Sequence, residues 1–184
     1  MENIWKIKPF SIIMKRKDKI LPCSAGKEED PAEVIEKLEI DTVYAGEEEM
    51  TGITVDAIIE NIEKVTDFVN EELEKTGCPL KTQMQIDVAL DEILSNIAHY
   101  AYEEEKGQMR VELIELQEEK GIRMIFSDTG MPFDPLTSKE PDTTSGIKDR
   151  PVGGLGIFLV RKTMDEVSYE YKDGKNVLTV IKKW

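Results

Sequence analysis

The sequence predicts a two-layer α/β sandwich: one mixed, mostly antiparallel sheet with helices on one of its faces. Three observations predict it. The hydrophobic period switches between helical and alternating, in the order strand, helix, helix, strand, strand, loop, helix, strand, strand. Two pairs of strand-like runs are separated only by short polar turns and read as hairpins. The chain has 184 residues, enough for one domain with a sizeable core and some additional chain.

The regular pattern begins at Ile53-Thr54-Val55, a short strand. Residues 58–75 form an amphipathic helix with Ile58, Ile62, Val65, Phe68, Val69 and Leu73 on one side. Gly77 stops it and Pro79 follows, the usual order after a helix C-terminus. A longer helix covers residues 81–102, with a core stripe of Ile86, Leu90, Ile93, Leu94, Ile97 and Ala101. Strands at 109–116 and 121–127 are joined as a hairpin by Glu118-Glu119-Lys120-Gly121. Residues 130–152 are rich in Pro, Gly, Thr, Ser and Asp and lack periodicity, and a loop of that length in a compact domain commonly carries function. A helix at 155–164 and a hairpin of 167–171 with 177–181, across Asp173-Gly174, complete the order.

Residues 1–51 read differently, as an N-terminal extension with no assigned role, leaving 52–184 as the functional domain. The extension holds the basic run Lys15-Arg16-Lys17-Asp18-Lys19 and a short helical pattern at 31–38, with Asp30 as N-cap and Pro31 at the first helical position. Glu47-Glu48-Glu49 reads as a solvated linker.

The net charge of −14 argues against direct nucleic-acid binding, which needs clustered Lys and Arg. That charge is uneven: residues 1–20 hold six basic and two acidic side chains, so the remainder carries −18. No run approaches the ~18 apolar residues of a membrane span, and the N-terminus lacks a continuous apolar signal segment. Cys23 and Cys78 are too few and too far apart for a disulfide framework or a zinc site, and read as reduced thiols of a cytoplasmic protein.

Three constellations could carry chemistry. Glu92 and Asn96 are four residues apart on one helix face, away from the apolar stripe. Asn96 offers a neutral oxygen that suits Mg²⁺, and Glu92 could take a proton from a hydroxyl or water; both could equally be surface polars. Asp128-Thr129-Gly130 closes an apolar strand. An ionised Asp accepts hydrogen bonds, which suits an exocyclic amino group such as adenine N6, and Gly130 permits close backbone approach; a plain turn has the same composition. Gly153-Gly154-Leu155-Gly156 opens an apolar helix, whose free N–H groups favour phosphate, or it is simply a loop end. His99, the single histidine, reads as a hydrogen-bonded structural residue, since no further metal ligands stand at matching spacing. Neither Gly26-Lys27 nor Gly174-Lys175 is a Walker A motif, and no GxGxxG follows a strand. A nucleotide site here must be of another kind.

In this fixed order the residues resemble the Bergerat-fold ATPases, the superfamily shared by gyrase and the histidine kinases. The N box resembles Glu92-x-x-x-Asn96, the G1 box Asp128-x-Gly130 and the G2 box Gly154-x-Gly156. The phrases from Gly130 to Pro135, from Gly153 to Val160 and Met164-Asp165-Glu166-Val167 are similar to the anti-sigma-factor serine-protein kinases of Gram-positive bacteria, over roughly residues 52–184. The resemblance implies an ATP-dependent serine/threonine kinase that phosphorylates a STAS-type anti-sigma-factor antagonist, with sequestration of a sigma factor as a further expected role; a homodimer is compatible with it. It implies Asn96 as the Mg²⁺ ligand, Glu92 as general base, Asp128 and Gly130 at the adenine, and Gly154, Leu155 and Gly156 at the lid and phosphates. Two departures stand out. The family's histidine slot, four residues after the Asn, holds Tyr100, so His99 receives no catalytic role. Pro151-Val152 separate Arg150 from the glycines, so it receives none either. The alternative reading is an ATP-binding module that sequesters a protein partner without phosphotransfer. A histidine-kinase ATPase domain is disfavoured, because no phosphoacceptor helix precedes residue 52.

Overall fold

Side-chain alternation decides how the sheet is built. The computed structural model describes residues 15–16, 39–45, 48–102, 106–137 and 155–184. In β4 (Gln108–Glu115), Met109, Val111 and Leu113 turn inward; in β5 (Gly121–Asp128), Ile122, Met124 and Phe126 do so. Leu178 and Val180 of β7 (Lys175–Lys183) and Ile53 and Val55 of β3 (Glu48–Asp56) complete one apolar face. Six strands form the sheet, joined at one edge by the two-residue β1 (Lys15–Arg16); β2 is Glu39–Ala45 and β6 is Glu166–Lys172. Their order is β1-β2-β3-β4-β5-β7-β6, and every pairing among the described residues is antiparallel.

The helices lie on the apolar face. Helix α1 (Ile62–Lys75) buries Val65, Phe68, Val69 and Leu73; α2 (Leu80–Asn96) buries Ile86, Ala89, Leu90, Ile93 and Leu94; α3 (Leu155–Thr163) contributes Val160. Helix α2 touches both of the others, so it is the middle helix of the layer. Asn70 of α1 donates to Asp87 of α2 at 2.9 Å. Gly77 takes φ +70° after α1, the left-handed conformation expected of a helix-stopping glycine.

Beyond the sheet's other face, charged groups tie β2 to its neighbours. Arg110 of β4 donates to Thr54 of β3 at 3.0 Å and to Asp41 of β2 at 2.8 Å, and pairs with Glu112 at 3.0 Å. The guanidinium lies across Gly52, where a Cβ would come within 2.8 Å of Nη2. At the far end of the sheet Lys182 donates to the Thr163 carbonyl at 2.8 Å, satisfying an orphan acceptor at the C-terminus of α3.

Four sequence expectations change here. Glu48 and Glu49 are not linker but the start of β3, paired with Ala45 and Tyr44. Glu49 is exposed, so the strand carries its charge without desolvating it. Strand β3 therefore runs through residue 52, and β2 lies within residues 1–51. Ile58 does not join the α1 stripe; it is 44% exposed, because a 3-10 turn (Ile59–Asn61) precedes the helix. The expected long second helix ends as α-helix at Asn96 and continues as a π-turn over Ile97–Ala101. The helix expected at 31–38, Cys23 and most of the 130–152 loop lie outside the described residues. Cys78 is buried, and burial pushes its thiol up, which keeps it protonated and a weak nucleophile.

Two outcomes follow. Met124 is fully buried, so Met124→Ala lowers unfolding free energy by about 2–5 kcal/mol in urea titration. Burial pushes the Asp165 carboxyl up, but the Lys183 N–H at 2.7 Å and the Lys182 ammonium outweigh it and hold it below its ordinary value. A depressed carboxylate adds stability above its unfolded pKa and loses it as pH falls through the folded one. The urea midpoint of Asp165→Asn is therefore less sensitive to acidification below about pH 4 than that of the wild type.

Candidate functional site

The alternation that buries Phe126 sends Asp128, two residues on, to the same helix-covered face, where it is 7% exposed. Register then decides its neighbours: Asp128 stands opposite Asn176 of β7 and opposite Met109 of β4. A buried carboxylate needs donors. The Gly130 N–H and Asn176 Nδ2 both donate to Asp128 Oδ1 at 2.8 Å. Its Oδ2 accepts no hydrogen bond from the described residues.

Gly130 is required by crowding. A Cβ there would collide with the Ala101 carbonyl of the π-turn, and the next residue, Met131, donates its N–H to that carbonyl at 2.9 Å. Tyr102 fastens the same junction. Its hydroxyl donates to the Gln108 carbonyl at 2.7 Å and accepts the Thr129 N–H at 2.9 Å, and its ring occupies the space a Cβ on Gly107 would need. Thus the end of α2 and the turn after β5 are held as one unit. The π-turn lies directly after the Asn96 position, a place where such bulges commonly mark functional sites.

Glu92 and Asn96 project from the last turns of α2. Asn96 Nδ2 donates to Glu92 Oε1 at 3.0 Å, so the carboxamide oxygen is the atom left to meet a cation. Gly156, in the first turn of α3, packs against the Glu92 carboxylate so closely that a Cβ would overlap it. Leu155 opens α3. Gly153, Gly154 and Arg150 lie outside the described residues.

Glu92, Asn96, Asp128 and Asn176 line one cavity of about 670 Å³, walled by Ile93, Ile97, Phe126 and Leu178 and flanked by Tyr100, Met131 and Phe133. Its size and mixed lining suit a cofactor-sized ligand. Exposed Met131 and Phe133 (51% and 61%) add apolar surface where a flat ring could rest. A second cavity of about 610 Å³ between α1 and β2–β4 contains none of the predicted residues. His99 does not line the site; it is exposed, with Nδ1 2.9 Å from the Ser95 carbonyl, while Tyr100 in the family's histidine slot does.

Asn176 and Tyr169 are residues that sequence reasoning missed. Tyr169 donates its hydroxyl to Asn176 Oδ1 at 2.7 Å, and the Phe133 N–H donates to the same oxygen at 3.1 Å. Burial first, then the carboxylates of Asp134 and Asp128, push the Tyr169 hydroxyl up, so it stays a donor. The signal for Asn176 was available: a polar residue two positions before Leu178 occupies an inward place in an otherwise apolar alternation.

Residues 55–182 match the family model described as the histidine kinase-like ATPase domain. The chain is 31% identical over 109 residues to the serine-protein kinase RsbW of Listeria monocytogenes, covering 56% of this chain and 68% of that protein. It is 28% identical over 108 residues to the RsbW of Bacillus cereus strain AH187, covering 56% of this chain and 66% of that one. For the RsbW of Bacillus mycoides the values are 27% over 95 residues, 50% and 58%. The chain thus spans about two thirds of the length of the first two relatives and less of the third.

Tyr102→Phe, which removes the hydroxyl bonds to Gln108 and Thr129, lowers unfolding free energy by about 1–3 kcal/mol. Gly130→Ala costs a similar ~1–3 kcal/mol through overpacking against Ala101. Calorimetric melting of both variants checks these values.

Proposed function

The chain belongs to the histidine kinase-like ATPase domain family, and from that premise we propose that it is an ATP-dependent serine/threonine protein kinase and anti-sigma regulatory factor. Its substrate in this reading is a serine or threonine of a STAS-type anti-sigma-factor antagonist, and it also holds a sigma factor. The observation that carries the proposal is that Asp128, Glu92 and Asn96 share one cavity. The relatives are serine-protein kinases, which supports the transfer chemistry. The strongly acidic composition supports a protein rather than a nucleic-acid partner. No helix among the described residues is long and apolar enough to cross a membrane, which is compatible with a cytoplasmic place of action.

The geometry supports the proposed residue roles. Asp128 Oδ2 accepts the adenine amino group, with Gly130 allowing the turn to close on the π-turn. Asn96 Oδ1 suits a hard cation such as Mg²⁺. No group of three His, Cys, Asp or Glu among the described residues could hold a metal unaided, so the carboxamide would share the ion with nucleotide phosphates. Bound there, the ion supplies charge neutralisation for those phosphates. Leu155 and Gly156 open α3 on the proposed phosphate side, where free N–H groups favour anions, and Gly154 is proposed from the sequence motif to serve the same phosphates. Glu92 takes the proton of the attacking hydroxyl. The hydroxyl oxygen forms its bond to the γ-phosphorus as the bond from that phosphorus to ADP oxygen breaks.

Each role has a measurable consequence. Glu92→Gln binds Mg-ATP within about twofold of wild type but transfers phosphate about 10²–10⁴-fold more slowly, read with radiolabelled ATP and a purified STAS-domain partner. Asn96→Ala weakens Mg-ATP binding by about tenfold or more, read by titration calorimetry. Transfer at the wild-type rate by Glu92→Gln removes Glu92 as base. Co-elution with the partner, without label in it for the wild type, replaces phosphotransfer by sequestration.

A further inference from the structure

We infer that the second cavity, the groove between α1 and strands β2–β4, is the seat of residues 1–14 of this same chain. Among the described residues it shares no lining side chain with the cavity of Asp128 and Glu92, and its occupation gives part of the N-terminal extension a role.

The groove has an apolar floor and a rim of one sign. It holds about 610 Å³, and Ile40 of β2, Phe68 of α1, Leu113 of β4 and Ile122 of β5 supply its apolar surface. Glu49, Glu71, Glu72 and Glu115 stand around that surface. The one cation among its described lining residues, Lys75, is paired with Glu72 at 2.5 Å. An occupant must therefore bring apolar side chains for the floor and cations for the rim. The same carboxylates repel a nucleic acid or an acidic peptide.

Residues 1–14 have the required chemistry. They contain Trp5, Ile7, Phe10, Ile12 and Ile13, with Lys6 and Lys8 set among them and Glu2 as the only acid. A lysine stem lies along apolar surface while its ammonium reaches outward to a carboxylate.

Strand pairing brings this segment to the groove. In the antiparallel β1–β2 pair Lys15 stands opposite Thr42 and Arg16 opposite Asp41. Thr42 lines the groove, so residues 1–14 are attached about 5 Å, one strand spacing, from its wall. The antiparallel direction aims the chain that precedes Lys15 toward Ala45, the end of β2 where Tyr44 pairs with Glu49. Fourteen residues reach at most about 45 Å, roughly twice the ~21 Å length of α1, so the tether spans the groove with slack. A tether this short keeps the segment at about millimolar effective concentration, and modest contacts then suffice to hold it.

Zero-length crosslinking of the full chain with a water-soluble carbodiimide tests the assignment, because it joins a lysine to a carboxylate only where the two touch. The expected products link Lys6 or Lys8 to Glu49, Glu71, Glu72 or Glu115 within one chain, mapped by mass spectrometry on a mixture of isotope-labelled and unlabelled protein. Fluorescence reads the segment directly. Trp5 and Trp184 are the only tryptophans, so the emission of Trp184→Phe is that of Trp5. It is blue-shifted from the emission of a free peptide of residues 1–14. Adding Glu49→Lys and Glu115→Lys raises its acrylamide quenching at least about twofold, since two attractions become repulsions. Links from the segment to other surfaces, or none, overturn the assignment. So do links that join labelled to unlabelled chains, which mark the groove as the seat of a second copy's segment. A Trp5 as exposed as in the free peptide, or a sheltered one that the charge reversals leave unchanged, overturns it as well. If a tryptophan or charge variant does not fold, the crosslinks of the unaltered chain decide alone.

Discussion

A carboxylate buried at the end of a strand is tolerable only where donors meet it, and the contact between Asp128 and Asn176 meets that condition. Without partners, Asp128 would carry a desolvation cost of several kcal/mol. With the Asn176 amide and the Gly130 N–H on one oxygen, the group becomes a fixed acceptor at a defined place. The β5–β7 register is what puts the two residues opposite each other. A shift of one residue would send Asp128 to the other face of the sheet and take its carboxylate out of the cavity.

The helix layer depends on the same junction. The π-turn after Asn96 brings the Ala101 carbonyl against Gly130, and the Tyr102 hydroxyl joins the Gln108 carbonyl to the Thr129 N–H. Crowding at Gly130 and Gly107 allows backbone and ring to approach where any side chain would hold them apart. Glu92 and Asn96 are thereby set at a constant distance from Asp128, because both ends of the cavity wall are parts of one packed unit. Preorganisation of this kind matters for phosphoryl transfer, in which positioning and charge carry most of the catalysis.

Helix α3 closes the arrangement from the side of Gly156. Its first turn packs on the Glu92 carboxylate through Gly156, and the carbonyl of its last residue, Thr163, is held by Lys182, itself paired with Asp165. The proposed base and the proposed phosphate-binding helix are thus in direct contact, and the amide of Asn96 completes the contact from α2.

How much of this was legible in the sequence differs from element to element. The amphipathic stripes of α1 and α2, the β4–β5 and β6–β7 hairpins, and the candidate roles of Glu92, Asn96, Asp128 and Gly130 could be read from residue type and spacing, because period and short-range order are local properties. Strand β2 and the start of β3 could not. The Glu48-Glu49 start of β3 looks solvated, and only cross-strand pairing and the Arg110–Asp41 contact, made between residues far apart in the chain, turn these segments into sheet. Asn176 was half legible: the alternation of β7 marks it as an inward polar residue, but that it faces Asp128 depends on a register that no local pattern encodes. Local chemistry and periodicity were therefore determined by the sequence alone. Which buried polar groups meet was decided by the tertiary structure, because hydrogen bonds between distant residues exist only once strand order and register have closed the sheet.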